Sequence, residues 1–208
     1  MLHIKTVEPR TFSLLKKLMD LPSLQQFSLV GGTALSLRYG HRSSEDLDLF
    51  YHEKFDHSSI EAELIREFGN NFDYESGHKK WGIFCFIEKI KVDIVYFPHL
   101  PIATIETKDK IRMYSSADIA AMKIQAIPGR AKKKDFWDLY ELIQHYPLQQ
   151  LIDWHKQKYP SQMLAISIPN AITYFVEADE SETPVSFKKQ TWESVKKGIS
   201  RAVSDYLR

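Results

Sequence analysis

Val30-Gly31-Gly32-Thr33-Ala34-Leu35, followed five residues later by His41-Arg42-Ser43-Ser44-Glu45-Asp46-Leu47-Asp48-Leu49, is the stretch on which the fold turns. Residues 27–30 (Phe-Ser-Leu-Val) read as a short strand that runs into a glycine pair. Residues 33–39 then suit a short helix closed by Gly40, so the unit is strand, glycine turn, helix. From Asp46 to Phe50 polar and apolar residues alternate, which is a strand pattern and puts Asp46 and Asp48 on one face.

The elements on either side agree with a sheet packed by helices. A helix is expected after Pro9, with Phe12, Leu15, Leu18 and Met19 at helical spacing until Leu21-Pro22. A capping box at Ser58 and Glu61 is expected to open a second helix, ended by Gly69-Asn70-Asn71. Strands are expected over 81–87 and 90–97, joined as a hairpin around Glu88-Lys89, with Asp93 in the second. Past Pro98 and Pro101 one more strand is expected near 111–114, and then only helices. Ser116 is expected to cap a helix to Ile127 that Pro128-Gly129 breaks, with a second helix over 133–146. Residues 177–182 (Glu-Ala-Asp-Glu-Ser-Glu) read as a solvated acidic loop. A last helix over 191–207 carries Trp192, Val195, Ile199, Ala202, Val203 and Tyr206 in one arc. The fold class is therefore α+β. A lobe with a sheet flanked by helices is expected over 1–100, and a mostly helical lobe over 101–208.

Composition narrows the function classes. Lys plus Arg number 28 against 27 Asp plus Glu, a formal charge of +1, so any polyanion site must be a local patch rather than a global field. The single cysteine, Cys85, lies in an apolar run and reads as a core residue of a reduced compartment. No apolar stretch approaches the ~18 residues of a membrane span, so the expectation is a cytoplasmic protein with no membrane partner. The eight histidines show no paired zinc-ligand spacing, and no serine or cysteine arrangement suggests a covalent nucleophile.

Two ionised carboxylates side by side on a strand repel unless a cation lies between them. Magnesium prefers hard oxygen ligands and commonly takes one or two carboxylates with substrate phosphates, so a third carboxylate on a neighbouring strand would suit a two-ion site. Asp93, flanked by Val92 and Ile94, is the candidate. Upstream, Gly31-Gly32 would let phosphate approach the backbone, and the following helix would direct N–H groups toward the anion.

In this order the motifs resemble the DNA polymerase beta nucleotidyltransferase superfamily: Val30-Gly31-Gly32, then Asp46-Leu47-Asp48-Leu49, then Val92-Asp93-Ile94. More narrowly, the opening stretch, with Asp118 to Lys123 and the segment from Arg130 through Asp135-Phe136-Trp137-Asp138-Leu139, resembles the AbiEii/AbiGii toxin family of bacterial abortive-infection and toxin-antitoxin systems. The resemblance implies transfer of a nucleoside monophosphate from an NTP to an acceptor hydroxyl, with Mg2+, or Mn2+ in its place, held by Asp46, Asp48 and Asp93. It implies that Gly31, Gly32 and Thr33 position the triphosphate and that Lys123 contacts its phosphates with support from Asp135. It also implies an RNA acceptor, especially a tRNA 3' end, and a cognate antitoxin protein as partner. A protein or small-molecule acceptor stays open, as does a catalytically idle binding protein of the same fold.

The helical segment can also be read without the resemblance. At about 100° per residue Lys123 falls on the apolar arc of its helix, so its ammonium needs a partner or a cleft. Asp135 falls on the apolar side of the next helix and is a partner for Lys123 or Arg130, whereas Asp138 lies nearer the polar edge. Arg42 is expected to contact phosphate. The dense basic run of Arg130 with Lys132-Lys133-Lys134 is a candidate for holding an RNA backbone.

Overall fold

The computed structural model describes residues 1–74, 81–130, 132–161 and 166–208, with Arg130 described by its backbone alone. A mixed seven-stranded sheet, counted among the described residues, organises the chain. Helix α1 (Pro9–Asp20) starts with proline at its first position, where the missing N–H costs no hydrogen bond, and buries Leu14, Leu15, Leu18 and Met19. Strand β1 (Ser28–Leu29) leads into α2 (Gly31–Tyr39), which begins two residues earlier than expected because the glycines are themselves its first turn. Gly40 closes α2 in the left-handed region at φ 67°.

Strand β2 (Leu47–Tyr51) pairs antiparallel with β1. Helix α3 (His57–Phe68) is capped by Asp56, whose side chain accepts from the Ser58 N–H at 3.0 Å. The expected Ser58/Glu61 capping box is therefore corrected: the aspartate two residues upstream reaches that amide first. Strand β3 (Phe72–Tyr74) follows, then β4 (Gly82–Ile87) and β5 (Ile90–Tyr96) as the expected hairpin. Glu88 and Lys89 both have positive φ, the two-residue turn whose twist matches its strands. The same geometry at Asp109 and Lys110 joins β6 (Glu106–Lys108) to β7 (Ile111–Met113).

The strand order is β3-β4-β5-β2-β1-β7-β6, with β2 parallel to β5 and β1 parallel to β7. The sheet thus extends to Met113, beyond residue 100. One face is sealed by Leu47, Leu49, Ile83, Cys85, Ile87, Val92 and Ile94, all buried in the core. The period-two burial of β2, β4 and β5 sends the alternate residues, Asp48 and Asp93 among them, to the other face.

Helix α4 (Ser116–Arg130) follows at once. Its cap is Ser115 rather than Ser116: Ser115 Oγ accepts from the Asp118 N–H at 3.1 Å and donates to Asp118 Oδ2 at 2.8 Å. Pro128-Gly129 does not break it, since Pro128 lies in the last turn and forfeits a single hydrogen bond there. Helices α5 (Lys133–His145) and α6 (Leu148–Lys158) pack on α4, and short α7 (Ile168–Ile172) joins them. Helix α8 (Val176–Asp179) occupies part of the expected acidic loop. Asp179 there accepts from Trp192 Nε1 at 2.5 Å and Lys196 Nζ at 3.1 Å, so this segment is tied down by the final helix. That helix, α9 (Trp192–Tyr206), has Thr191 as its cap and buries Trp192, Val195, Ile199 and Val203 against α5 and α6. Helix α2 touches both the β2 strand and the α4–α5 pair, which makes it the joint between sheet and helices. No helix among the described residues is long and apolar enough to cross a membrane.

Candidate active site

Parallel pairing of β2 with β5 sets Asp48 directly beside Asp93. Burial, and then the charge of Asp93, push the Asp48 carboxyl above the usual range. Asp93 Oδ2 accepts from Lys91 Nζ at 2.5 Å, while its buried Oδ1 has no hydrogen-bond partner among the described residues. Asp46, just before β2, takes Lys134 Nζ at 3.1 Å from α5.

Gly31 lies against this pair at φ 70°, and a Cβ there would sit 2.6 Å from Asp48 Oδ2. Only glycine offers both that backbone conformation and that clearance. Gly32 is enclosed from the other side, since a Cβ would lie 2.0 Å from Arg42 Nη2 and 3.3 Å from Asp138 Oδ2. Thr33 is buried, and its hydroxyl donates to the Asp46 carbonyl and lies 2.8 Å from Ser44 Oγ. It fastens the start of β2 to α2.

Behind the glycines lies a charged cluster that is buried throughout. Asp138 Oδ1 accepts from His41 Nε2 and from Arg42 Nε, each at 2.7 Å, and Oδ2 accepts from Arg42 Nη2 at 2.8 Å. Lys123 Nζ lies 2.6 Å from Asp138 Oδ2 and 2.7 Å from Asp135 Oδ1. Two cations face two carboxylates, so the charges balance. Burial alone would raise the Asp138 carboxyl, but Arg42 and then Lys123 outweigh it and hold it well below the ordinary value. Burial would lower Lys123, yet Asp138 and Asp135 outweigh it and raise it.

The expected Lys123–Asp135 pair is thus present across the α4–α5 hairpin. Asp138, expected near a polar edge, is instead the hub. The side of α5 that looks polar in sequence faces His41 and Arg42, so a carboxylate there is buried with its partners. Arg42, expected at phosphate, is itself buried, with its guanidinium spent on Asp138 and on the Ser43 carbonyl at 2.7 Å. The Arg130 side chain lies outside the described residues. In the rest of the basic run, Lys134 turns to Asp46 and Lys133 donates to the Ser181 carbonyl at 2.7 Å, leaving Lys132 exposed. Sequence reasoning missed Lys91 and Lys134 as partners of the carboxylates. Lys91 was the more findable, standing two residues before Asp93 on the same strand face.

Among the described residues no three acidic, histidine or cysteine side chains gather as a ready-made metal cage. The adjacent Asp48–Asp93 pair, with one buried oxygen of Asp93 unmatched and a glycine backbone alongside, nevertheless fits a divalent cation whose remaining ligands are substrate phosphates and water.

Comparison with known proteins gives the family and the fold. The family model described as nucleotidyl transferase AbiEii toxin, type IV TA system, matches residues 13–205. An uncharacterized protein of Aquifex aeolicus (strain VF5) is 32% identical over 199 residues, covering 93% of this chain and 94% of the relative. Among solved structures, JHP933 from Helicobacter pylori shares the fold with a TM-score of 0.57 at 18% identity, over 95% of this chain and 92% of that one. MenT4, the nucleotidyltransferase toxin Rv2826c from Mycobacterium tuberculosis H37Rv, superposes with a TM-score of 0.55 at 16% identity, over 95% of this chain and 86% of that one.

Proposed function

The chain belongs to the AbiEii nucleotidyl transferase toxin family, and from that premise we propose that it transfers a nucleoside monophosphate from an NTP to an acceptor hydroxyl on RNA, with tRNA foremost. The observation that carries the reading is the side-by-side placement of Asp48 and Asp93 on parallel strands, with the Gly31 backbone against Asp48. Carboxylates forced together in a partly buried site are unfavourable without a cation, so the arrangement is suited to a task rather than to stability.

In this reading Asp46, Asp48 and Asp93 hold magnesium, with manganese as a substitute. The bound cation supplies charge compensation for the triphosphate and the departing pyrophosphate. The acceptor hydroxyl lies at Asp93, which orients it and takes its proton as its oxygen bonds to the α-phosphorus. The bond from that phosphorus to the β-phosphate bridging oxygen breaks, and pyrophosphate leaves. The Gly31-Gly32 backbone at the start of α2 receives the triphosphate. The Asp138 hub holds Lys123 close enough to favour the ionised form of Asp48. Catalysis is then chiefly alignment and electrostatics. The cleft lies between the sheet and the helical lobe, and a cognate antitoxin in the bacterial cytoplasm completes the reading.

Incubating the protein with each labelled NTP, magnesium and total RNA or total protein tests it. Label on RNA is the expected result. Label on protein would move the acceptor to another class, and no label anywhere would contradict transferase activity.

A further inference from the structure

Lys123, the lysine that the family pattern aims at phosphate, has most of its hydrogen-bonding capacity spent inside the protein. It is buried, and its Nζ lies 2.7 Å from Asp135 Oδ1 and 2.6 Å from Asp138 Oδ2. Drawing it outward would leave those buried carboxylates short of a cation, which is costly in a low-dielectric interior. Arg42 is committed in the same way to Asp138 and to the Ser43 carbonyl. A triphosphate on the Gly31-Gly32 turn would therefore draw a side-chain cation from outside this cluster.

Lys134 has the opposite character. It stands in the first turn of α5 with a side chain 41% exposed, and its Nζ crosses to the sheet to donate to Asp46 Oδ2 at 3.1 Å. Asp46 is itself 39% exposed, so this solvent-facing pair adds little to stability and is exchanged at small cost. Residues four apart share a helix face, so Lys134 lies one turn, about 6 Å, ahead of Asp138 along α5. Asp138 Oδ2 is 3.3 Å from where a Gly32 Cβ would be, and the Thr33 hydroxyl ties the Asp46 carbonyl to the same turn. The ammonium is thus held at the rim of the glycine turn, between the sheet carboxylate and the helical lobe. The neighbouring Lys133 points elsewhere, donating to the Ser181 carbonyl.

Resting on the transferase reading above, we propose that Lys134 is the helical lobe's phosphate ligand. With Asp46 committed to a divalent cation, the Lys134 ammonium passes from that carboxylate to the β- and γ-phosphates of the NTP. Until then Asp46 holds the side chain near its place, so less ordering is left for the nucleotide to impose on arrival. Lys123 stays in the Asp138 cluster and acts on the site through its charge alone.

Calorimetric titration of the full chain in magnesium tests this with two probes. One is each NTP as its α,β-methylene analogue, from which no nucleotide can be transferred; the other is inorganic tripolyphosphate, which has neither base nor sugar. Lys134→Gln should weaken both by about ten-fold, whereas Lys134→Arg, which keeps the charge, should stay within about three-fold of the wild type. In chelator Lys134→Gln should melt within about 3 °C of the wild type, as suits an exposed pair, and a larger fall would make the residue structural and count against the assignment. Tripolyphosphate affinity unchanged in Lys134→Gln overturns it, and so does binding of neither probe by the wild type. Label transfer from NTP to total RNA by the wild type is read in parallel and separates the two claims. Transfer with Lys134-independent binding sinks the assignment and leaves the transferase standing. Lys134-dependent binding without transfer upholds the phosphate contact and removes the activity.

Discussion

Arg42 grips Asp138 with two hydrogen bonds, Nε to Oδ1 at 2.7 Å and Nη2 to Oδ2 at 2.8 Å, joining the segment before β2 to the middle of α5. Because His41 and Lys123 converge on the same carboxylate, removing it would leave the buried Arg42 without its carboxylate and Lys123 with Asp135 alone. Asp138→Ala should lower the unfolding free energy by about 3–5 kcal/mol. Urea denaturation measures this, and a loss under about 1 kcal/mol would mean that the cluster does not hold the two halves together.

The same carboxylate sets an acid limit. Its folded pKa lies well below its unfolded value of about 3.9, so its contribution is present above about pH 4 and is lost as pH falls through the folded value. Wild-type stability should fall steeply on acidification below pH 4, and Asp138→Asn should flatten that limb. A pH series of thermal melts for both proteins gives the comparison.

Asp48 has the opposite sign. Its pKa is raised in the folded chain, so its ionised form opposes folding above that value, and the penalty is relieved as pH falls. Asp48→Asn should therefore stabilise the metal-free protein at pH 7, by about 0.5–2 kcal/mol, while abolishing transfer. Equal or lower stability of the variant in chelator would contradict an unfavourable carboxylate pair.

How far the chain could be read in advance depended on whether a feature is local or long-range. The alternation through Asp48 and Asp93 and the glycine turn are local, and they located β1, β2, β5 and α2 together with the carboxylate pair. Strands β3 and β6 are three residues each, too short to leave a periodic signal; β6 is exposed throughout and pairs with β7 across the Asp109-Lys110 turn. The Asp138 hub was misjudged because helical periodicity assumes one buried face. Helix α5 is enclosed by α2, α4 and α9, so a polar-looking edge became an ionic core. For Arg42, nothing in sequence tells a surface phosphate ligand from a buried clamp whose partner is 96 positions away.

Gly31→Ala tests the closeness of backbone and carboxylate. The added Cβ would enter at 2.6 Å from Asp48 Oδ2 on a residue at φ 70°, so both strain and displacement of the carboxylate are expected. The loss of stability should be about 1–2 kcal/mol, with a larger proportional loss of NTP affinity. Circular dichroism establishes that the fold persists, and magnesium- and NTP-dependent thermal shifts report the site. An unchanged nucleotide response would show that phosphate does not lie on this turn.

Cys85 accepts no role in this chemistry. Burial, with the nearby Asp93 charge, pushes its thiol up to about 12, and its Sγ donates to the Val92 carbonyl at 3.4 Å. It should stay unreactive toward a disulfide reagent at pH 8 until denaturant is added, and alkylating agents should leave transfer intact.

The most direct test of the central claim is transfer of α-labelled nucleotide to RNA by the wild type, Asp48→Asn and Asp93→Asn under magnesium and then under chelator. Label should depend on the metal and fall at least about a hundred-fold in each variant, with both variants folded. Near wild-type labelling by either variant, or labelling undiminished by chelator, would contradict the placement of the reaction at the Asp48–Asp93 pair.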